Sequence, residues 1–217
     1  MIPVLIVPTL IHYDHLQNML DSIDIEINEL IIIDNGGKLK SIKCNNAKKI
    51  SIINLPRNLG VAGSWNLGIK LTPYAKWWFI ASDDILFLPG QLKRIIDSNF
   101  DSIVFDKYIR GSFSAFGVHE NIIEKLGLFN EYFYPGIGEE IDYIEKIYKN
   151  GIVPYNIRNL FEHIDEGSNT LKSIKSKINN KELFDELQRS SISFNNKSKL
   201  DKWDLDYRRH VEKILNS

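Results

Sequence analysis

The sequence predicts an α/β fold: a mostly parallel central sheet flanked by helices, one domain in all, with a helical C-terminal extension. Three observations carry this. The apolar runs are short, rich in isoleucine and valine, and do not alternate, as strands covered on both faces do not. Stretches with helical apolar spacing fall between them, the order expected of a parallel sheet. The 217 residues are 43% hydrophobic and 25% charged, an ordinary globular balance in a chain long enough for one well-packed domain.

The elements follow in order. Ile2–Val7 reads as a buried strand stopped by Pro8. Over Tyr13–Ile23, Leu16, Met19, Leu20 and Ile23 recur on one helical face. Leu30–Ile33 is a second strand, ended by the turn signal Asp34-Asn35-Gly36-Gly37. Ile50–Asn54, Trp77–Ala81 and Ser102–Phe105 read as three further strands, with helical patterns at Gly63–Lys70 and Gln91–Ser98. Ser112–Gly138 is rich in Phe, Tyr and Gly and has no clean period. Helical spacing returns over Glu139–Lys149, and Asn150-Gly151 stops it. Beyond Thr170 the composition shifts to Lys, Asn, Ser and Glu, with Trp203, Tyr207, Val211 and Ile214 on one face of a helix that packs back on the domain.

Composition removes several function classes. A net charge of −1 gives no electrostatic footprint for nucleic acid or anionic lipid. Cys44 is the only cysteine, so an internal disulfide and a cysteine-based zinc site are both ruled out. The opening MIPVLIVPTLIHYD lacks a basic leader and is too short in apolar length to span a bilayer, which predicts a cytoplasmic protein with no integral membrane segment.

In a parallel sheet, ligands bind at the carboxyl ends of the strands. Those ends carry Thr9, Asp34, Asn54 through Arg57, and the pair Asp83-Asp84, so one rim collects a hydroxyl, three carboxylates and a guanidinium. Burying two adjacent carboxylates is costly without a counter-charge. Oxygen ligands of this kind suit a hard cation, Mg2+ or Mn2+, which keeps open positions for phosphate oxygens. The plain alternative is an Asp-Asp turn that caps the next helix.

Three more segments carry chemistry. In NLPRNLGVAGSWNLGIK, Gly60 and Gly63 allow close backbone approach, and Gly63–Ser64 would open a helix toward an anion, although neither a dinucleotide fingerprint nor a P-loop spacing is present. In YPGIGEEIDYIEKIYKNG, Glu139, Glu140 and Asp142 crowd the first turn of a helix; they either complement its dipole or supply a general base. In FEHIDEGSNT, His163 follows an apolar segment and is either a surface residue or a ligand.

Taken together and in this order, PT at Pro8-Thr9, IIIDNGG, NLPRNLGVAGSWNLGI, SDDILFLPGQL, EKLGLFNEYFYPGIGEEIDYIEKIYKNG and EHIDEGSNT resemble the blocks of the family-2 glycosyltransferases. The resemblance spans about residues 2–170, and Lys202-Trp203 resembles a tail element of some members. It implies the A-type nucleotide-sugar fold, with residues 1–170 as the catalytic domain and 171–217 as an extension of it. It further implies that Thr9 and Asp34 contact the base, the Asp34 carboxylate accepting an imide N–H of uracil or thymine. Asn58 and Gly60 would lie over the nucleotide, Arg57 beside the phosphates, and Asp83 on the ribose or assisting the metal. Asp84 would coordinate Mn2+ or Mg2+, with His163 near the metal and diphosphate, and Glu140 would be the catalytic base with Asp142 close behind.

The implied activity is metal-assisted, inverting transfer of a sugar from a nucleoside diphosphate sugar, UDP-sugar first, to a hydroxyl of a glycan or glycoprotein. Three positions depart from the family pattern. Ser82 stands where an acidic residue or Asn is common, Glu140 replaces a usual Asp, and Asn130 replaces another. The lengthened Glu140 leaves Glu139 and Asp142 open as bases. A nucleotide-sugar or glycan-binding module without turnover, and a nucleotidyltransferase of similar fold, are the competing readings.

Overall fold

The computed structural model describes residues 1–106, 112–136 and 138–164. Its strands are β1 (Ile2–Thr9), β2 (Ile27–Asp34), β3 (Ala47–Asn54), β4 (Trp77–Ala81), β5 (Ile85–Phe87), β6 (Ile103–Phe105), β7 (Ala115–His119), β8 (Tyr155–Asn156) and β9 (Phe161–His163). The helices are α1 (Tyr13–Asp21), α2 (Gly60–Leu71), α3 (Gln91–Asp97), α4 (Glu120–Leu126) and α5 (Glu139–Lys149), with a 3-10 turn at Ser112–Ser114. Both the extension expected over 171–217 and its Trp203–Ile214 stripe lie outside the described residues.

A seven-stranded sheet runs β3-β2-β1-β4-β7-β6-β8, and β5 pairs with β9 in a small second sheet. The pairs β1–β2, β1–β4 and β2–β3 are parallel; β7 runs antiparallel to both β4 and β6. The sheet is therefore mostly parallel, as the unalternating apolar runs predict, with one reversed strand inside it. That strand lies in the segment whose period the sequence hides. Ala115, Phe116, Gly117 and Val118 are all buried because both faces are covered, so no polar residue alternates with them.

Alternate residues feed two cores. Leu5, Val7, Phe79 and Ala81 pack with Leu16, Met19 and Leu20 of α1 and with Leu92 and Ile95 of α3 on one face. Val4, Ile6, Trp78 and Ile80 pack with Trp65 and Ile69 of α2 and with Tyr143 and Ile147 of α5 on the other. Trp65 meets Phe116 and Phe129 edge-on at centroid distances of 5.0 Å each, a geometry the ring quadrupoles favour. Helix α2 lies tight on β1: a Cβ at Gly68 would sit 2.5 Å from Ile6 Cγ2, so only glycine fits there.

Buried Asn66 staples this layer. Its Nδ2 donates to the Phe129 carbonyl at 2.8 Å and to Glu131 at 3.0 Å, and its Oδ1 accepts the Phe129 N–H at 3.0 Å. Asn66→Leu keeps the volume but strands the Phe129 groups, so a loss of about 1–3 kcal/mol is expected in urea unfolding. An unchanged midpoint would show that the loop repairs itself with water.

Candidate active site

The carboxyl ends of β1, β2, β4 and β6 converge on one rim, and the predicted residues sit there with unequal exposure. Thr9 ends β1 and donates its hydroxyl to Asp83 Oδ2 at 2.6 Å, tying the first strand to the loop after β4. Burial pushes the Asp83 carboxyl up to about 7; the Thr9 hydrogen bond pulls it back, and the neighbouring Asp84 charge adds to the rise. Asp84 is buried, and its carboxylate Oδ1 lies 3.9 Å from His163 Nδ1 on β9. The β5–β9 pairing sets Ile85 opposite His163 and so holds the two side chains together. The main chain continues the grip, since the Ile164 N–H donates to the Asp84 carbonyl at 2.9 Å.

His163 Nδ1 is buried without a hydrogen-bond partner. A buried polar atom in that state is costly, and a carboxylate oxygen near it but outside hydrogen-bond range makes a donor pair that fits a divalent cation. One carboxylate and one imidazole suit Mn2+ better than Mg2+, because imidazole nitrogen is the softer ligand.

Asp34 is gripped by its own loop and by Tyr13. It is fully buried. Its Oδ1 accepts the Tyr13 hydroxyl at 3.0 Å and the Gly36 N–H at 2.9 Å, while Oδ2 accepts the Lys38 and Leu39 N–H groups at 2.7 Å each. Four donors use the acceptor directions that a carboxylate has, leaving none for a base imide N–H in this conformation. Burial first, and then Asp34 itself, raise the Tyr13 pKa, so the phenol keeps its proton as donor.

The glycine-rich segment is also arranged differently. Helix α2 begins at Gly60, three positions before Gly63, and Ser64 lies inside it with its hydroxyl donating to the Gly60 carbonyl at 2.7 Å. The leading amides are already taken. Leu59 N–H donates to Asn35 Oδ1, Gly60 N–H to Asn58 Oδ1, and Val61 N–H to the Pro135 carbonyl. The expectation that Gly63–Ser64 opens a helix toward an anion is therefore corrected: those first N–H groups bind protein oxygens. Gly60 is needed for its own reasons, with φ +76° and a Cβ position 2.9 Å from the Tyr134 ring and 3.0 Å from the Pro135 carbonyl. Arg57 stays exposed on the same loop.

The acidic start of α5 resolves into three environments. Glu139 is buried. Asp142 forms an i,i+4 ion pair with Lys146 at 3.0 Å. Glu140 is half-buried, and burial raises its pKa, with the Phe113 backbone N–H pulling the other way. Phe113 belongs to the 3-10 turn, whose Ser114 carbonyl accepts the Ser82 N–H at 2.7 Å. Glu140 is thus linked through one short turn to the residue preceding Asp83 and Asp84.

Sequence reasoning passed over Asn35, which bridges Ser64 and Leu59, and Asp106, a fully buried carboxylate directly after β6 that accepts the Leu160 N–H at 3.2 Å. Each directly follows or ends an apolar strand run, the signal that singled out Asp34 and Asp83. Asn130 is structural, accepting the Tyr132 N–H at 3.1 Å in a local turn.

Comparison with known proteins points one way. The sequence model described as glycosyl transferase family 2 matches residues 4–138. A Drosophila β1,4-galactosyltransferase 7 variant, solved with manganese, UDP-Gal and xylobiose, is similar with TM-score 0.52 and 12% identity, over 75% of this chain and 70% of that one. Staphylococcus aureus TarS 1–349 with UDP gives TM-score 0.57 and 12% identity over 99% of this chain and 70% of that one. For the longer TarS chain the score is 0.56 at 14% identity, and this chain covers 42% of it. At these identities the likeness speaks for the fold. A search of curated proteins gives no match. Among the described residues, no helix is long and apolar enough to cross a membrane.

Proposed function

The chain belongs to glycosyl transferase family 2, and from that premise we propose that this glycosyltransferase moves a sugar from a nucleoside diphosphate donor, UDP-sugar first, to a hydroxyl of a glycan or glycoprotein, with inversion. The observation that best supports this reading is the pairing of two walls at one rim. Asp84 and the unpartnered His163 Nδ1 stand after β4 and on β9, and Glu140 is anchored to the 3-10 turn next to Ser82. The galactosyltransferase complex holds manganese, UDP-Gal and xylobiose and the TarS complex holds UDP, so both carry a uridine diphosphate group, in keeping with a UDP-sugar donor here.

Inversion requires attack opposite the leaving group. The acceptor oxygen forms its bond to the anomeric carbon as the carbon–oxygen bond to the diphosphate breaks, and the acceptor proton passes to the Glu140 carboxylate. Held by Asp84 and His163, Mn2+ or Mg2+ would offset the charge that builds on the departing diphosphate. Thr9 holds Asp83 in place for the ribose, and the Asn58–Gly60 turn and Arg57 lie on the phosphate side. Asp34 and Asn35 organise the loop walls. Asp142 is held by Lys146, which favours Glu140 as the base.

The test is a panel of nucleotide sugars with and without Mn2+, reading nucleotide release, product identity and melting temperature, since a ligand that binds only the native state raises the latter. Release of UDP with a glycosylated product is expected. Binding without turnover would mark a non-catalytic module, and pyrophosphate released in a parallel assay with a nucleoside triphosphate and a sugar 1-phosphate would mark a nucleotidyltransferase. Asp84→Ala should keep its fold yet lose the Mn2+-dependent part of the UDP-induced shift, while Asp83→Ala costs about 0.5–1.5 kcal/mol of binding. An Asp84→Ala protein that responds to UDP and Mn2+ like the parent removes the metal assignment.

A further inference from the structure

The N-terminal end of α1 carries a second group of metal-ligating side chains that the transfer reaction does not use. His12, Asp14 and His15 each offer one ligand atom, and these atoms lie within 4.8 Å of one another. His12 is the residue before the first turn of α1, yet its side chain makes no capping hydrogen bond to that helix. Its imidazole is instead stacked on that of His15, with ring centroids 5.1 Å apart and planes inclined by 21°. The backbone fixes the pairing, because the Leu16 N–H donates to the His12 carbonyl at 3.1 Å and closes the turn that brings the two rings together. Asp14 is exposed, while both imidazoles are half-buried.

We propose that His12, Asp14 and His15 form a binding site for a borderline divalent transition metal, Zn2+ foremost, separate from Asp84 and His163. Two imidazoles and one carboxylate are a zinc donor set with a fourth position left to water. Imidazole-rich sites favour Zn2+ over Mn2+ and Mg2+, whereas carboxylate and phosphate oxygens suit the latter two. The spread of the ligand atoms exceeds the final spacing around a zinc ion by little, and exposed Asp14 is the ligand with most room to move. The site lies at the end of the turn that starts at Thr9, the residue whose hydroxyl holds Asp83. Zinc there would pin that turn, and the proposal stands whether or not the chain transfers sugar.

The alternative is that the two rings only stack, with Asp14 complementing the helix start. Calorimetric titration of the chelator-stripped full chain with ZnCl2 separates the two. The expected result is one equivalent of Zn2+ bound at this site, retained in Asp84→Asn and weakened at least tenfold in the double variant His12→Asn/His15→Gln. Asn is a good residue before a helix, so the double variant keeps its fold, which an unchanged melting temperature without metal verifies. MnCl2 in the same titration should show no difference between the parent and the double variant. No zinc uptake by the parent, or uptake that the double variant retains in full, overturns the proposal.

Discussion

Glu140→Gln is expected to lower sugar transfer by roughly a hundredfold or more while leaving donor affinity nearly intact and raising the melting temperature. The two effects have one origin. Burial disfavours the charged carboxylate and raises its pKa, only partly offset by the Phe113 N–H. Well below the unfolded value both states are protonated and the group costs nothing. As pH rises through the raised folded value, the native state must carry a charge that burial opposes, so stability is lost. Glutamine removes that cost and keeps an oxygen for the Phe113 N–H, but it cannot take the acceptor proton. The parent should accordingly show an acid limb in kcat/KM displaced upward from the ordinary glutamate range, and the limb should vanish in the variant.

Controls on the same helix separate the neighbours. Asp142→Asn breaks the pair with Lys146, an i,i+4 interaction worth about 0.3–0.5 kcal/mol, and should leave transfer close to parental. Glu139→Gln should also be mild on transfer. Near-parental transfer by Glu140→Gln beside a dead Asp142→Asn would move the base to Asp142.

The rim was legible in the sequence because its chemistry follows strand ends. Ile31 to Ile33 and Phe79 to Ala81 are fully or almost fully buried, and each run breaks into polar residues where the sheet ends, so Asp34, Asp83 and Asp84 stood out. Strand β7 is hidden, since Ala115 and Phe116 on opposite faces are equally buried and no alternation marks them. Helix α2 starts three residues before the predicted Gly63, because Gly60, which the turn requires, has the sequence character of a loop residue. The loop contacts of Asp34 lie beyond sequence reasoning for a different reason. Three of its four donors are backbone N–H groups of its own loop, and any residue type supplies those. The zinc-type donor set escaped notice because His12 and His15, three apart, fit a helix start as well as they fit a metal.

Asp34→Ala is therefore expected to act on the fold before it acts on any ligand. The substitution removes the acceptor from three backbone N–H groups and the Tyr13 hydroxyl at once. Each buried group left unpaired costs about 1–3 kcal/mol, but Gly36 and Lys38 lie near the surface and water repairs part of the loss. A net destabilisation of roughly 3–5 kcal/mol follows, or on the order of 10 °C in melting temperature for a chain of this size. Asp34→Asn keeps one acceptor oxygen but turns an amide NH2 toward backbone donors, so it should fall between parent and alanine. The nucleotide readout decides whether Asp34 only organises the loop. If it does, the variants lose UDP and CDP affinity by the same factor, because the wall that both nucleotides share has loosened. A loss confined to UDP would mean that the carboxylate gives up one of its loop donors on binding and takes the uracil imide N–H in its place.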